Sequence, residues 1–589
     1  MLNWKSLTVG LGLLTMTSLA VADNKVLLVG IDGLQLEQFQ RLDTPNFDRL
    51  NITKAYTGGI QGATSEQPTV SGPGWATILT GVWMSKHRIE SNDAGLANPE
   101  FPSLFKRIKD AHPDAYVASI ANWSPINTSF FANEVAGIDE VVSGINDQEV
   151  VDHALTTLSA TSPEFVFLHL DDPDHAGHAS CFGSAYDQAV HDSDRRLGQL
   201  LDKVESLQRQ TADNWLVLVT TDHGRTPVIG CHHGNQTEPE KTIFIGSNQS
   251  MNAEFWQQIS DIPNTQFNSL YGYPSQASIA PTVLRHLGIP VDVSWRLDGL
   301  PLIGDLGVRK LMEDGSSPES FTWYTAEQTP ANIYRNGILV DQVYSMDRGW
   351  TDSNMSPPGV TDYVVEINNT PLALRVNNFQ IDAALSKDAF KAYFFRNDLQ
   401  YVRYNKVLDK SDGGYPRETN DQTWPGLEAY RDQITASFQK DLGTSYYFLK
   451  NGQYINYDNI GDKVRSGYPK PINNSTWPGL EPYKNQIEAA LRWHNQKVYF
   501  FLSDGDYIRY DIDKDAVDSG YPKPINDSTW PGLGDYAQEI TAAVKWNDGR
   551  GYIFLTGQRY LRYNISEDKV DEGYPMHVDN ATWPGLLNP

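Results

Sequence analysis

Four copies of one motif set, each 53 residues after the last, constrain the final third of the chain more than any other feature. Gly-Tyr-Pro begins at Gly414, Gly467, Gly520 and Gly573, and Trp-Pro-Gly-Leu at Trp424, Trp477, Trp530 and Trp583. The tyrosine pairs Tyr401/Tyr404, Tyr454/Tyr457, Tyr507/Tyr510 and Tyr560/Tyr563 keep the same register. So do the Ile-x-Ala triplets that open each unit at Ile381, Ile434, Ile487 and Ile540. One such unit, all short strands and Gly/Pro turns, cannot bury its own apolar face, whereas neighbours packed side by side can. Four units closing on themselves predict a four-bladed β-propeller with an axial channel over residues 381–589.

The N-terminal half follows a different pattern. Three apolar runs end in acids: residues 25–31 before Asp32 and Gly33, residues 165–170 before Asp171, Asp172 and Asp174, and residues 215–221 before Asp222, His223 and Gly224. Each run reads as a strand buried on both faces, as in a parallel sheet. Seven of the 13 histidines fall between His169 and His233. Open α/β sheets bind ligands beyond the carboxyl ends of their strands, where these acids and imidazoles collect. Carboxylate oxygens with imidazole nitrogens suit zinc or a similar divalent ion. The expected fold is an α/β domain with a mostly parallel sheet between helices over residues 23–304, and the expected cofactor is divalent metal.

Small residues and Pro73 ahead of a helical stretch near residues 75–79 put Ser71 at or near a helix N-terminus, where free N–H groups favour an anion. A serine there is a helix cap or a nucleophile. Beside a two-metal site the nucleophile gains ground, because coordination lowers a hydroxyl pKa.

Composition sets the surroundings. Residues 1–22 carry Lys5, an apolar run and Ala20, Val21 and Ala22, the pattern of a cleaved secretory signal. No later stretch approaches a membrane span, so the chain is expected to be secreted or periplasmic. The balance of 47 Lys plus Arg against 73 Asp plus Glu argues against a surface that grips a nucleic-acid duplex. Cys181 and Cys231, the two cysteines, flank ligand clusters, and an exported chain permits a bond between them. Two separate buried thiols are the alternative.

The strand ending in Asp32–Gly33, the run Pro68 to Pro73 with Thr80–Gly81, Asp174 with His178, Thr221 to Gly224, and His233–Gly234 stand in an order that resembles the alkaline phosphatase superfamily. Within it, the resemblance is to the type I phosphodiesterase/nucleotide pyrophosphatase branch. It implies two zinc ions, one on Asp174, His178 and His233 and the other on Asp32, Asp222 and His223. Ser71 would lie between them as ligand and nucleophile, and a small phosphoester would pass through a phosphoserine. His233 is preferred to His232 because it precedes glycine. Gly74, three residues past Ser71, offers no side-chain donor to a phosphoryl oxygen, so Asn122 and Arg225 are the candidate substrate contacts. Three alternatives stay open: a phosphomonoesterase, a sulfatase suggested by Ser71-Gly72-Pro73 although Trp75 stands where its arginine belongs, and a binding protein with an inactive phosphatase-like domain.

The 53-residue units resemble hemopexin-type repeats. That implies a structural calcium or sodium ion near the channel entrance, held by carbonyls of the Ile-x-Ala segments. It also implies a binding module for a protein, surface or matrix partner, with a purely stabilising appendage as the alternative. Residues 305–380 alternate in β fashion around Gly, Pro and Asn turns and read as a β-rich connector.

Overall fold

The computed structural model describes residues 23–314, 319–354, 359–493, 496–579 and 582–587. The signal-peptide reading of residues 1–22 lies outside them.

A seven-stranded sheet forms the N-terminal domain. Its strands are β1 (Asn24–Ile31), β2 (Asn51–Tyr56), β3 (Val117–Ala121), β4 (Glu140–Ser143), β5 (Phe165–Leu170), β6 (Asn214–Thr220) and β7 (Thr242–Ser247), in the order β2-β7-β6-β1-β5-β3-β4. From β6 to β4 every pairing is parallel, and β7 then joins both β6 and β2 in antiparallel fashion. The continuous apolar runs are explained by burial on two sides. Val26 and Leu28 pack with Trp75, Leu79, Phe105 and Phe167, while Leu27 and Val29 pack with Phe39, Phe47, Leu197 and Val217 on the other face. Each such side chain contributes roughly 1.5–3 kcal/mol. The edge strands β2 and β4 were not legible as strands, because they are partly exposed and lack the unbroken apolar run. The helical reading of residues 184–207 corresponds to the helix Ser184–Thr211, which packs Val190, Leu197 and Leu201 on the sheet.

The three acid-bearing strands are adjacent in the sheet, so their carboxyl ends open at one edge. Asp32 N–H donates to Leu170 O (2.8 Å), and Gly33 N–H to Asp222 Oδ1 (3.2 Å). Gly33 sits at φ +59°, and a Cβ there would lie 2.5 Å from Asp174 Oδ1. Only glycine lets the chain leave β1 through this crowded turn.

Between Arg309 and Asn377 lie a three-stranded and a four-stranded antiparallel sheet around Phe321, Trp323, Ile333, Tyr363 and Val365. Asp362 of this connector pairs with Arg375 (2.8 Å) and with Arg296 (3.1 Å), and approaches the buried Lys86, which also pairs with Asp298.

From Ile381 onward four antiparallel sheets repeat one plan, each with its innermost strand first: Ile381–Ser386, Ile434–Asp441, Ile487–Arg492 and Ile540–Lys545. The innermost strands of the first and fourth sheets are neighbours, which closes the ring. Trp477 shows why the motif recurs. It is buried among Phe448, Tyr454, Phe500 and Tyr510, and so joins two consecutive blades. Gly479 follows at φ +91°, where a Cβ would lie 2.8 Å from Val517.

Candidate metal centre

The sheet edge gathers Asp32, Asp174, His178, Asp222, His223 and His233 around Ser71. Asp32 leaves β1, and Asp222 and His223 follow β6. Asp174 and His178 lie one turn apart on the helix Asp172–Ser180. Spacing of four residues puts both on one helix face. Ser71 is the first residue of the buried helix Ser71–Thr80.

Two groups face each other. In one, His178 Nε2 lies 3.3 Å from Asp174 Oδ2 and 3.0 Å from His233 Nε2, and His233 Nε2 lies 3.8 Å from Asp174 Oδ1. In the other, His223 Nε2 lies 3.3 Å from Asp222 Oδ2 and 3.6 Å from Asp32 Oδ1. The groups meet where the His223 and His233 rings stack at 3.8 Å, and Ser71 Oγ is 3.4 Å from His223 Nε2. His232 is exposed, so the geometry singles out His233 of the adjacent pair.

The donor atoms fit cations. Asp32 Oδ1 and Asp222 Oδ2 are buried with no hydrogen-bond partner. Native proteins rarely leave such atoms unmatched. Burial, with Asp174 nearby, pushes Asp222 up to about 8, and burial with Asp222 drives Asp32 well above the carboxylate range. Burial also works on Asp174, but its hydrogen bond to His178 and the nearby His223 and Arg225 hold it below that range. His223 Nδ1 faces Gly224 O (2.9 Å) and His233 Nδ1 faces Thr69 O (3.0 Å). A carbonyl only accepts, so both Nδ1 atoms carry hydrogen and both Nε2 lone pairs turn to the centre. Asp174, His223 and His233, and again Asp32, Asp222 and His223, bring one donor atom each within 4.8 Å of one another.

Supporting residues fix the ligands. Asp32 Oδ2 accepts from Trp75 Nε1 (3.0 Å) and from His169 Nε2 (3.1 Å), which leaves Oδ1 as its free oxygen. Asp147 accepts from the backbone N–H groups of Asp171 (2.8 Å) and Asp172 (3.0 Å) and so holds the chain beyond β5.

Asn122 and Arg225, the expected substrate contacts, bond protein partners. Asn122 Nδ2 donates to Asp147 Oδ1 (2.8 Å), so its amide belongs to the loop scaffold. Arg225 is fully buried; its guanidinium pairs with Asp174 and donates to Gly230 O (2.6 Å) and Cys231 O (3.2 Å). It holds the Asp174 carboxylate and does not face solvent. Position 74 has no room for a side chain, because a Cβ there would lie 2.9 Å from Asp222 Cβ. Asn92, missed in the sequence, stands by Ser71 instead, with its Oδ1 accepting Gly72 N–H (2.7 Å). Asn92 sits in an exposed polar stretch with no periodic signal. Cys181 and Cys231 form a disulfide that ties the helix bearing Asp174 to the loop leading into His233.

Residues 30–290 match the family model of the metalloenzyme superfamily, and residues 487–535 match the hemopexin model. The chain therefore joins a metalloenzyme-superfamily domain to a hemopexin domain. Among curated proteins it is 34% identical over 185 residues to interstitial collagenase of Equus caballus, covering 30% of this chain and 36% of that one. It is 29% identical over 147 residues to matrix metalloproteinase-18 of Xenopus laevis, covering 25% of this chain and 28% of that one. The match thus spans about a third of the length of these relatives. Among solved structures, the hemopexin fold protein CP4 from cow pea is similar at 23% identity and a TM-score of 0.31, over 35% of this chain and 96% of that one. Murine ectonucleotide pyrophosphatase/phosphodiesterase 5 is similar at 20% identity and a TM-score of 0.27, over 34% and 57%. Among the described residues no helix is long and apolar enough to cross a membrane.

Proposed function

We propose that this chain is an exported two-metal phosphoric ester hydrolase that prefers diesters and acts through Ser71. The observation that carries the reading is the position of Ser71 Oγ, 3.4 Å from His223 Nε2, between two donor groups that include buried carboxylate oxygens with no hydrogen-bond partner among the described residues. Two divalent cations, zinc by the mix of imidazole and carboxylate donors, would be held by Asp174, His178 and His233 and by Asp32, Asp222 and His223; bound there they would neutralise phosphoryl charge and acidify the serine hydroxyl.

Ser71 Oγ then forms a bond to phosphorus as the bond from phosphorus to the leaving oxygen breaks. Water later attacks phosphorus, the bond to Ser71 Oγ breaks, and the serine is restored. The start of the Ser71–Thr80 helix favours the phosphoryl charge. Asn92 is anchored through its Oδ1, which leaves its Nδ2 hydrogens to donate to a phosphoryl oxygen. Trp75 and His169 hold Asp32 in one orientation, and Arg225 does the same for Asp174.

The test is hydrolysis of a nitrophenyl phosphodiester against the matching monoester, with zinc, with a chelator and with Ser71→Ala. Faster, chelator-sensitive diester cleavage that depends on Ser71 is the expected result. A monoester preference would place the enzyme with the phosphatases. No turnover of any phosphoester with two metals bound would leave only the binding-protein reading.

A further inference from the structure

We propose that Lys241 is a positioning residue for the metal centre: its ammonium ties the segment that leads into Ser71 to the loop that carries His233. The inference rests on the reading of Ser71 as nucleophile for its effect on turnover, whereas its effect on the His233 loop stands apart from that reading.

Lys241 ends the short helix Glu238–Lys241 and is fully buried. Its Nζ donates to Gly58 O (3.0 Å), Gly59 O (2.8 Å) and Gln236 Oε1 (3.1 Å), which uses every hydrogen of the ammonium. The rings of Tyr271 and Phe267 lie beside it, at 5.4 and 5.5 Å from their centroids. Among the described residues it forms no ion pair. Burial pulls it down to about 7 against the attraction of Glu66. An ammonium taken out of water without a bonded counter-ion burdens the fold, and an apolar side chain of similar size would not. What Lys241 holds in place therefore explains it better than what it adds to stability.

It holds two loops together. Residues 57–70 run from β2 to Ser71, and a Cβ on Gly58 would lie 2.9 Å from Lys241 Nζ, so the bare backbone lets the ammonium approach. Gln236, three residues past His233, has φ +55°, in the left-handed region that glutamine rarely adopts. Both ends of its amide are gripped: Oε1 by Lys241, and Nε2 by donating to Glu66 Oε1 (3.1 Å). Glu66 Oε2 in turn accepts from Gly62 N (2.7 Å), so this second grip also comes from the segment leading into Ser71. The backbone N–H groups of Gly234 and Gln236 donate to Thr69 Oγ1 (3.1 and 3.3 Å), and His233 Nδ1 donates to Thr69 O (3.0 Å). Thr69 is two residues before Ser71. One threonine thus aligns the His233 imidazole with the Ser71 segment, and Lys241 fixes the strained turn that completes the arrangement.

The test uses full-length Lys241→Met. In metal-free protein, amide exchange of residues 232–237 should quicken by about tenfold or more. Zinc affinity, measured by chelator competition, should fall by about 10–100-fold. The kcat for a nitrophenyl phosphodiester should fall by about tenfold or more while KM changes by less than about twofold. The melting temperature should stay the same or rise. Gln236→Ala breaks the same tie from a half-buried position and decides the matter if Lys241→Met does not fold. The double variant should lose no more than the worse single one, because both remove one contact. Unchanged exchange and zinc affinity in both single variants would overturn the proposal. A lower melting temperature with wild-type zinc affinity would also overturn it, by making Lys241 a fold-stabilising residue alone. If the wild type turns over no phosphoester, the reading of Ser71 fails, and exchange and zinc affinity still decide the role of Lys241.

Discussion

At the carboxyl edge of the α/β sheet, Asp32 Oδ1 and Asp222 Oδ2 are buried with no hydrogen-bond partner. In the blades one buried hydroxyl is matched in every repeat: Tyr404, Tyr457, Tyr510 and Tyr563 each donate to the aspartate five residues on, at 2.9–3.2 Å. The blades have orphans too, since the indole N–H groups of Trp424, Trp477, Trp530 and Trp583 find no oxygen or nitrogen. Those groups are neutral and sit among aromatic rings, so leaving them unpaired costs about 1–3 kcal/mol. An unpaired buried carboxylate costs far more. Indole orphans are tolerable in a stable scaffold, whereas carboxyl orphans that burial drives towards the protonated form mark a place that suits a cation.

The sharpest way to break this contrast is to remove one charged orphan. Asp222→Asn should lower phosphoester turnover by about a thousandfold or more, as loss of a group in a concerted site does. In metal-stripped protein the same change should leave the melting temperature unchanged or raise it, because burial and Asp174 already push Asp222 up to about 8. Calorimetry of the stripped protein decides the matter. A clear fall in melting temperature would mean that the acids stabilise the fold by themselves.

The converse change lies in a blade. Trp477→Ala removes a side chain buried against Phe448 and Tyr510 and should destabilise the propeller by roughly 3–5 kcal/mol. Denaturant melts read that loss, and turnover of the folded fraction should not move. A parallel loss of turnover would show that the two domains work as one unit.

Residues that orient ligands fall between these extremes. Trp75→Phe and His169→Gln each remove one of the two N–H donors on Asp32 Oδ2. Metal affinity, measured by competition with a coloured chelator, should fall by about 10–100-fold in each. His169→Gln should lose less if its amide N–H reaches the same oxygen. Equal affinity in wild type and both variants would remove Asp32 from the ligand set.

How far these roles were legible follows from what a sequence records. Strand ends show, because a two-sided strand is an unbroken apolar run and Asp32, Asp171 and Asp222 stop it abruptly. The blades show, because closure imposes one period on tryptophan, glycine and tyrosine alike. Side-chain direction does not show. Arg225 and Asn122 had suitable chemistry and neighbourhood, yet one turns inward to Asp174 and the other to Asp147. Asn92 was invisible for the opposite reason, since it reaches Gly72 from an exposed loop 20 residues away. Trp75 reads as the start of a helical stretch, and only the three-dimensional approach of its indole to Asp32 gives it a further task.

The junction between the α/β domain and the connector lies between the two extremes, with buried charges that do have partners. Asp362 faces Arg375, Arg296 and Lys86, and although burial alone would raise it, these cations hold it down at about 2. Asp298 shares Lys86 but moves the other way, because burial outweighs its single cation. A carboxyl whose folded value lies below its unfolded 3.8 adds stability that is complete above pH 4 and lost as pH falls through 2. The shift corresponds to about 2 kcal/mol at 1.4 kcal/mol per unit. Asp298 protonates earlier with the opposite sign, so the whole-protein slope understates the Asp362 contribution. Comparing wild type with Asp362→Asn between pH 5 and pH 2.5 isolates it. The difference in unfolding free energy should shrink by about 1.5 kcal/mol across that interval, since pH 2.5 still lies above the folded value. A difference that stays constant would mean that the junction is held by its hydrogen-bond geometry, with the charge on Asp362 contributing nothing of its own.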